Sequence, residues 1–553
     1  MDESMQNSST TSVPLCKDWL MTEQALQTLK VGYTFDGETL DLGVALDGEE
    51  PSKETPISIP LSMLNRHGLV AGATGTGKTV TLQVLAEQLS RAGVPVFASD
   101  IKGDLSGIGA AGVESDKLRK RLDAAGQDWQ PKDNPTEFYT LGDSGLGTPL
   151  RATVTSFGPI LLSKVLELND TQESVLSLVF HYADQARLAL LDLSDLKAVL
   201  TFLTSDEGKA DLESIGGASK ATVGVILRKI SELAAQGGDV FFGEPEFDTA
   251  DLLRTDDSGA GIVSVLELQK LSQSPALFST FLMWLLADLF QDLPEVGDPD
   301  KPSLVFFFDE AHLLFAGASK AFLQSVTQTV RLIRSKGVGI FFVTQTPKDV
   351  PEDVLAQLGS RIQHQLRAHT PNDAKALKAT VQTFPKSDYD LEELLTSLGI
   401  GEAVVTVMDP DGAPTPVAPT RMRAPESKMG PMSEDEIKAA VAASSQHEKY
   451  GTAIDNESAR EILAKRLEGG SEAHAEEQRS APADAPADGR GGEGSADKID
   501  FPEESGGSRK KSAKKDDENP FAQVVKSSAF KQFTRTAARE IARGIFGTSR
   551  RRR

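Results

Sequence analysis

GATGTGKT, Gly72 to Thr79, is the stretch on which the reading of this chain turns. It has the form GxxxxGK[ST], the pattern of a loop that cradles phosphate, and it stands in the context such a loop needs. Before it runs HGLVAG, His67 to Gly72, a short apolar run that reads as a buried strand. After it runs VTLQVLAEQLSRAG, Val80 to Gly93, which has helical periodicity. Gly72, Gly75 and Gly77 carry no Cβ, so the loop can turn sharply and aim successive N–H groups at phosphate oxygens, while the helix start adds its partial positive charge. Ala73, Thr74 and Thr76 complete the cradle. Lys78 is placed to reach the β- and γ-phosphates, and Thr79 to offer its hydroxyl to Mg²⁺. The ligands implied are ATP and Mg²⁺.

A phosphate loop that hydrolyses its nucleotide needs a second, acidic element. KPSLVFFFDEAH supplies one: an apolar strand, Ser303 to Phe308, ending in Asp309 and Glu310. Asp309 is the expected Mg²⁺ ligand and Glu310 the expected base for the attacking water. Asp309 follows Lys78 by 231 positions, so other strands intervene, and VPVFASD and GIVSVLEL are the candidates. An extra strand between the two motif strands, with Glu after the acidic Asp, marks the additional-strand catalytic-glutamate group. The next strand, GVGIFFVTQ, ends in Thr344 and Gln345, where the amide can sense the γ-phosphate or orient water. His67 is read as a structural residue, and His312 as a packed residue or one that supports the site from behind rather than a catalyst. DEAH, Asp309 to His312, is not taken as an RNA-helicase box, because the companion helicase motif and second motor domain are missing.

At 553 residues the chain can bury a large core, and 39% apolar with 6% aromatic residues and 47 glycines suits an α/β protein. No run reaches the ~18 apolar residues needed to span a bilayer; the best, FLMWLLADLF at Phe281 to Phe290, is short and carries Asp288. Cys16 is the only cysteine, and the amino terminus lacks the pattern of a secretory signal, so a cytoplasmic address is expected. Formal charge is −23, but residues 521 to 553 hold nine Lys or Arg against Glu540, a local +8 that leaves −31 on the rest.

Residues 1–25 read as a flexible tail and 26–60 as a short β-rich lead-in. A P-loop core spans 61–424, in which VPVFASD, GIVSVLEL, SLVFFFDE, GVGIFFVTQ and GEAVVTVMD alternate with helical stretches, predicting a largely parallel, doubly wound sheet. A helical insertion occupies about 159–237. Residues 425–520 read as a linker, disordered from 466 where bulky apolar groups all but vanish. The last segment, 521–553, places Phe530, Phe533, Ala537, Ile541 and Ile545 at helical spacing among basic residues. Such a basic amphipathic helix suits an anionic membrane surface, nucleic acid, or packing against the protein body.

NRHGLVAGATGTGKTVTLQ, DIKGDLSG (Asp100 to Gly107), KPSLVFFFDEAHLLF and RLIRSKGVGIFFVTQTP (Arg331 to Pro347) together resemble the HerA/FtsK superfamily of DNA motors, and most closely the bacterial HerA-like ATPases. The resemblance runs from about residue 30 to 420, returns in the basic carboxyl tail, and implies a RecA-like fold and a hexameric homo-oligomer acting on double-stranded DNA. It also implies an arginine that completes the neighbouring subunit's site, for which Arg331, Arg334 and Arg361 are candidates. The alternative is a nucleotide-switched scaffold or membrane-associated ATPase, recruited through its basic tail to an anionic surface or a protein partner.

Overall fold

The computed structural model describes residues 23–142, 145–269, 275–315 and 320–467. Of the tail expected at 1–25, residues 1–22 lie outside the described residues, as do residues 468 onward of the stretch expected to be disordered from 466 and the basic helix at 521–553. Residues 23–25 open the helix Glu23–Gly32, so the lead-in expected to be β-rich at 26–60 begins as helix. A hairpin of β1 (Thr39–Asp47) and β2 (Glu50–Pro60) precedes β3 (Gly68–Ala71), β4 (Val96–Asp100), β5 (Thr136–Leu141), β6 (Thr148–Leu150) and β7 (Val263–Glu267). There follow β8 (Leu304–Phe308), β9 (Val338–Thr344), β10 (Ser360–His364), β11 (Glu402–Thr406) and β12 (Ala418–Met422). All join one sheet in the order β2-β1-β12-β11-β10-β3-β9-β8-β4-β7-β5-β6. From β10 to β6 neighbouring strands run parallel. From β10 to β2 they run antiparallel, so the lead-in hairpin continues the core sheet through β12.

The phosphate-loop strand β3 and the acidic strand β8 are separated by one strand, as the additional-strand type requires, but the inserted strand is β9. The expectation that VPVFASD and GIVSVLEL intervene is corrected: as β4 and β7 they lie beyond β8. The physical reason is that parallel strands are joined by crossovers, so order along the chain does not set order across the sheet.

Parallel strands covered on both faces become apolar throughout, which explains the unbroken LVFFF of β8. Its side chains alternate. Phe307 meets Phe341 at 5.4 Å, in the same cluster as Leu82, Leu85, Ala86 and Leu89 of the helix Lys78–Arg91. Phe306 meets Phe97 at 5.2 Å and Phe308 meets Phe342 at 5.7 Å. Each buried phenyl contributes roughly 1.5–3 kcal/mol, and together they hold the acidic end of β8 in register with its neighbours.

The stretch expected as a helical insertion forms Val154–Val165, Asp170–Gln185, Leu193–Thr204, Lys209–Ser214 and Lys220–Ala235. Asp170–Gln185 starts from a capping box between Asn169 and Gln172, and its buried Val175, Leu176, Val179 and Tyr182 follow helical spacing. Phe281 to Leu286 and Leu289 are buried within the helix Pro275–Asp292, so its apolar character serves the core. No helix among the described residues is long and apolar enough to cross a membrane.

Where a connecting segment is expected after residue 424, the structure shows docked chain. Glu87 of the helix Lys78–Arg91 is fully buried and accepts the N–H groups of Glu426 (3.0 Å) and Ser427 (3.2 Å). Helices Glu434–Ala443 and Ser445–Tyr450 follow. Tyr450 donates to Asp251 Oδ2 at 2.7 Å and packs on Phe247 at 5.1 Å between ring centroids. The chain divides into two compact units. Among the described residues, one holds 23–201 and 218–459 and carries the sheet. The other holds 202–217 and 460–467 and includes the helix Lys209–Ser214.

His67 sits just before β3 as a structural residue. Ile340 N–H donates to its Nδ1 at 3.0 Å, so Nε2 carries the proton and donates to Val330 O at 2.7 Å. Burial pulls the imidazole from 6.5 down to about 4, against the Val330 hydrogen bond. The unfolded chain therefore binds a proton that the fold refuses between those values. This contribution is intact above the unfolded pKa and is lost as pH falls towards the folded one, by roughly 2 kcal/mol at about pH 5. Denaturant unfolding of the parent and His67→Gln at about pH 7.5 and pH 5 is expected to show their stability gap narrowing by that amount at the lower pH. A gap independent of pH would contradict the neutral, doubly bonded His67.

Candidate active site

The loop after β3 has the shape that its glycines suggest. Gly72, Gly75 and Gly77 adopt φ of 156°, 80° and 116°, and Gly77 caps the helix Lys78–Arg91. Thr74 and Gly75 are exposed, Ala73 and Thr79 half-buried, Thr76 and Lys78 buried. The loop is fixed from the β10–β11 side. Ala73 N–H donates to Gln365 O at 2.8 Å, and Thr76 O accepts from Gly401 N–H at 2.9 Å. His364, buried at the end of β10, donates from Nδ1 to Glu402 O and accepts at Nε2 from the Thr81 hydroxyl, each at 2.9 Å. Burial pulls its pKa down to about 4, so the imidazole beneath the loop is neutral.

β3 and β8 are parallel and two steps apart in the sheet, so their carboxyl ends share one edge, about 10 Å from each other. That edge brings the lysine of one motif to the acids of the other. Lys78 Nζ donates to Gly72 O at 2.7 Å and Ala73 O at 3.3 Å. Burial and the Lys102 ammonium pull its pKa down, while Glu310, Asp309 and Asp104 oppose that shift. Asp309 is 4% exposed, and burial pushes its carboxyl up to about 7, against the pull of Lys102. Glu310 is equally buried, which raises its pKa, yet its hydrogen bond with Lys102 and the charges of Lys102, His312 and Lys78 bring it below the usual carboxylate range. His312 Nδ1 lies 3.1 Å from Glu310 Oε2, so this histidine touches the acid pair.

Gln345 is exposed at the end of β9, between the two motif strands. Asp349 shapes its turn, accepting from Thr344 Oγ1 at 2.9 Å and Thr346 N–H at 3.2 Å. A cleft of ≈ 270 Å³ adjoins the loop there, lined by Ala73, Thr74, Gln345, Thr346, Lys348 and Arg367 among others.

The three arginines are not gathered at this site. Arg334 precedes β9 and reaches Asp298, which also pairs with Arg66 before β3; this is the edge where the strands begin. Arg331 is exposed in the last turn of the helix Lys320–Ile333, which ends at that same edge. Arg361 lies early in β10, opposite Leu69, and donates to Thr383 O at 3.0 Å.

The side chains that sequence reasoning left without a role are Lys102, Asp104, His364 and Glu267. Burial pushes Glu267, at the end of β7, up to about 8, with Asp100 and Asp104 adding to the shift. The signal for the first two was present: charged residues directly after the apolar run of β4, in DIKGD, fall at the carboxyl edge of a parallel sheet. His364 carries no such signal, because its partners are 283 and 38 positions away.

The chemistry of these residues suits Mg²⁺ with a triphosphate: a glycine cradle that a Cβ would fill, a buried ammonium, a hydroxyl at Thr79 and two buried carboxylates. Fold and site together define a P-loop ATPase of the additional-strand, catalytic-glutamate type. The family model described as Helicase HerA-like C-terminal matches residues 46–553. The chain belongs to this HerA-like family. It is 23% identical over 390 residues to the DNA double-strand break repair helicase HerA of Saccharolobus solfataricus, covering 68% of each chain. To the protein of the same name from Sulfolobus acidocaldarius it is 22% identical over 357 residues, covering 63% of this chain and 64% of that one. The matched stretch thus spans about two thirds of these relatives' length. Among solved structures, the plasmid coupling protein TrwB in complex with ADP and Mg²⁺ is similar at a TM-score of 0.49 and 17% identity, covering 73% of this chain and 94% of that one.

A Cβ on Gly72 would lie 2.5 Å from His364 Cβ and 3.1 Å from its Cα. Gly72→Ala is expected to cost roughly 1–3 kcal/mol in urea unfolding, as overpacking does, and to weaken binding of a fluorescent ATP analogue. Parental stability and affinity would show that His364 does not define the cradle.

Proposed function

We propose that this chain hydrolyses ATP with Mg²⁺ and couples hydrolysis to movement along double-stranded DNA as a ring of identical subunits. The observation that carries the first half is the meeting of buried Lys78 with the Asp309–Glu310 pair at one edge of the sheet. In this reading the N–H groups of residues 72 to 79 bind the phosphates, Lys78 neutralises charge on the β- and γ-phosphates, and Gln345 orients water. Thr79 and Asp309 are the residues that would hold Mg²⁺, directly or through its waters, and the ion supplies charge neutralisation at the phosphate oxygens. Glu310 takes the proton of the attacking water; its lowered pKa keeps it ionised and ready to do so.

Family membership supports the second half of the proposal. Helicase action is what the matched relatives' names state of those relatives. Arg331, Arg334 or Arg361 would act on the neighbouring subunit's nucleotide. The first two sit at the sheet edge remote from their own phosphate loop, as a residue acting in trans can. The basic segment at 521–553 would serve recruitment to DNA, an anionic surface or a protein partner.

Lys78→Ala is expected to lose ATP binding, whereas Glu310→Gln retains binding and loses turnover, because an amide cannot take the proton. Equilibrium binding and single-turnover hydrolysis separate the two, and parental turnover in Glu310→Gln would remove its role. Mass measurement with and without ATP is expected to give a hexamer, and duplex DNA at low salt to stimulate hydrolysis. A rate indifferent to DNA, with residues 521–553 binding anionic vesicles, would favour the scaffold alternative instead. Loss of the catalytic arginine is expected to cost about 10³-fold in rate, with partial rescue on mixing with Lys78→Ala subunits.

A further inference from the structure

The loop after β4 belongs to neither nucleotide motif, yet it delivers a cation to the acid pair. One carboxylate shapes it: Asp100 Oδ1 accepts the N–H groups of Lys102 (3.2 Å) and Gly103 (2.6 Å), and Oδ2 accepts that of Leu105 (2.8 Å). Gly103 takes a left-handed φ of 78°, which turns the chain back towards the sheet edge. The loop is braced beyond its tip, where Ser106 Oγ accepts from Met432 N–H at 3.1 Å and Ala110 O accepts from Lys428 N–H at 2.8 Å. Segment 427–428 is itself tied to the helix that follows the phosphate loop, through Gln83 Nε2 to Ser427 Oγ at 2.7 Å and to Lys428 O at 2.8 Å.

From this braced loop Lys102 Nζ forms an ion pair with Glu310 Oε1, while His312 Nδ1 meets Oε2 at 3.1 Å. Each buried carboxylate oxygen therefore faces its own basic group, one on either side of the carboxylate. Glu310 holds φ of 49°, a conformation that residues other than glycine seldom adopt, so its backbone is also committed to one direction. The Lys102 side chain is 39% exposed and fills no core space, so packing does not explain its placement. Charge does: Glu310, Asp309 and Asp104 all favour its ammonium.

We propose that Lys102 is a positioning residue for hydrolysis: with His312 it holds the Glu310 carboxylate in the one orientation from which it accepts the attacking water's proton. This rests on the reading of Glu310 as the base. In the step itself a water O–H bond breaks and its proton passes to a Glu310 oxygen. The water oxygen bonds to the γ-phosphorus, and the bond from that phosphorus to the β–γ bridging oxygen breaks, leaving ADP. Lys102 makes and breaks no covalent bond.

The test is steady-state hydrolysis of MgATP by the full chain, with Lys102→Met and Lys102→Arg each made in the parent and in Glu310→Gln. Lys102→Met is expected to lower kcat on the order of 10²-fold, as loss of orientation does, with KM held within about twofold. Lys102→Arg recovers most of the rate, and in the Glu310→Gln background Lys102→Met causes no further loss of the residual rate. Parental or raised kcat in Lys102→Met overturns the proposal. So does a loss carried by KM, or an equal further loss in the Glu310→Gln background, which would place Lys102 on the phosphate rather than on the base. Parental turnover by Glu310→Gln alone would instead remove the underlying reading, so the two failures are distinct. Lys102→Gln carries the same expectations as Lys102→Met should the latter fold poorly.

Discussion

The Lys78 ammonium, buried at the sheet edge with Asp309, Glu310, Asp104 and Lys102 acting on it, is the constraint around which the rest of the structure is arranged. Charges withdrawn from water are costly unless they are balanced nearby. Three carboxylates and two ammonium groups act on one another at this edge, and their opposing pulls show in the pKa directions: Lys78 falls, Asp309 rises, Glu310 falls beside Lys102. Such a cluster persists only if the backbone presents all five groups without freedom to separate. The parallel sheet meets that demand, because β3, β9, β8 and β4 all end at the same edge.

Rigidity there is obtained from parts of the chain distant in sequence. The phosphate loop leans on His364, Gln365 and Gly401, so the antiparallel side of the sheet fixes its shape. The helix Lys78–Arg91 carries fully buried Glu87, whose carboxylate receives the N–H groups of Glu426 and Ser427. Burial raises the pKa of Glu87, opposed by Arg91 and by these hydrogen bonds. The loop bearing Lys102 rests on the same segment. One strap of chain, residues 423 to 432, thus supports both the helix behind the phosphates and the loop that meets the base.

Much of this is legible in the sequence, and the features that are not share a common origin. Apolar runs flanked by turn residues reveal β4, β7, β8, β9 and β11, because burial on both faces leaves a compositional mark. β10 escapes notice, since SRIQH is polar and its place in the sheet depends on Arg361 and His364 finding partners outside the strand. The sequence between residues 425 and 450 looks like a connector because its buried contacts rest on a few side chains, Ile437, Val441 and Tyr450, spread among polar ones. Neighbour order in the sheet departs from chain order at the strand inserted between β3 and β8, where sequence position is no guide.

The amino-acid sequence by itself determined the phosphate loop, the acidic pair at the end of an apolar strand, the α/β class and the family resemblance. Each of these depends on residue types at short, fixed spacing, where local backbone geometry is the only requirement. Only the tertiary structure decided that β9 lies between the motif strands, that His364 supports the cradle and that Lys102 and His312 grip the two oxygens of Glu310. Those relations join residues up to hundreds of positions apart, and such contacts follow from how crossovers and buried faces pack in three dimensions, which no local pattern encodes.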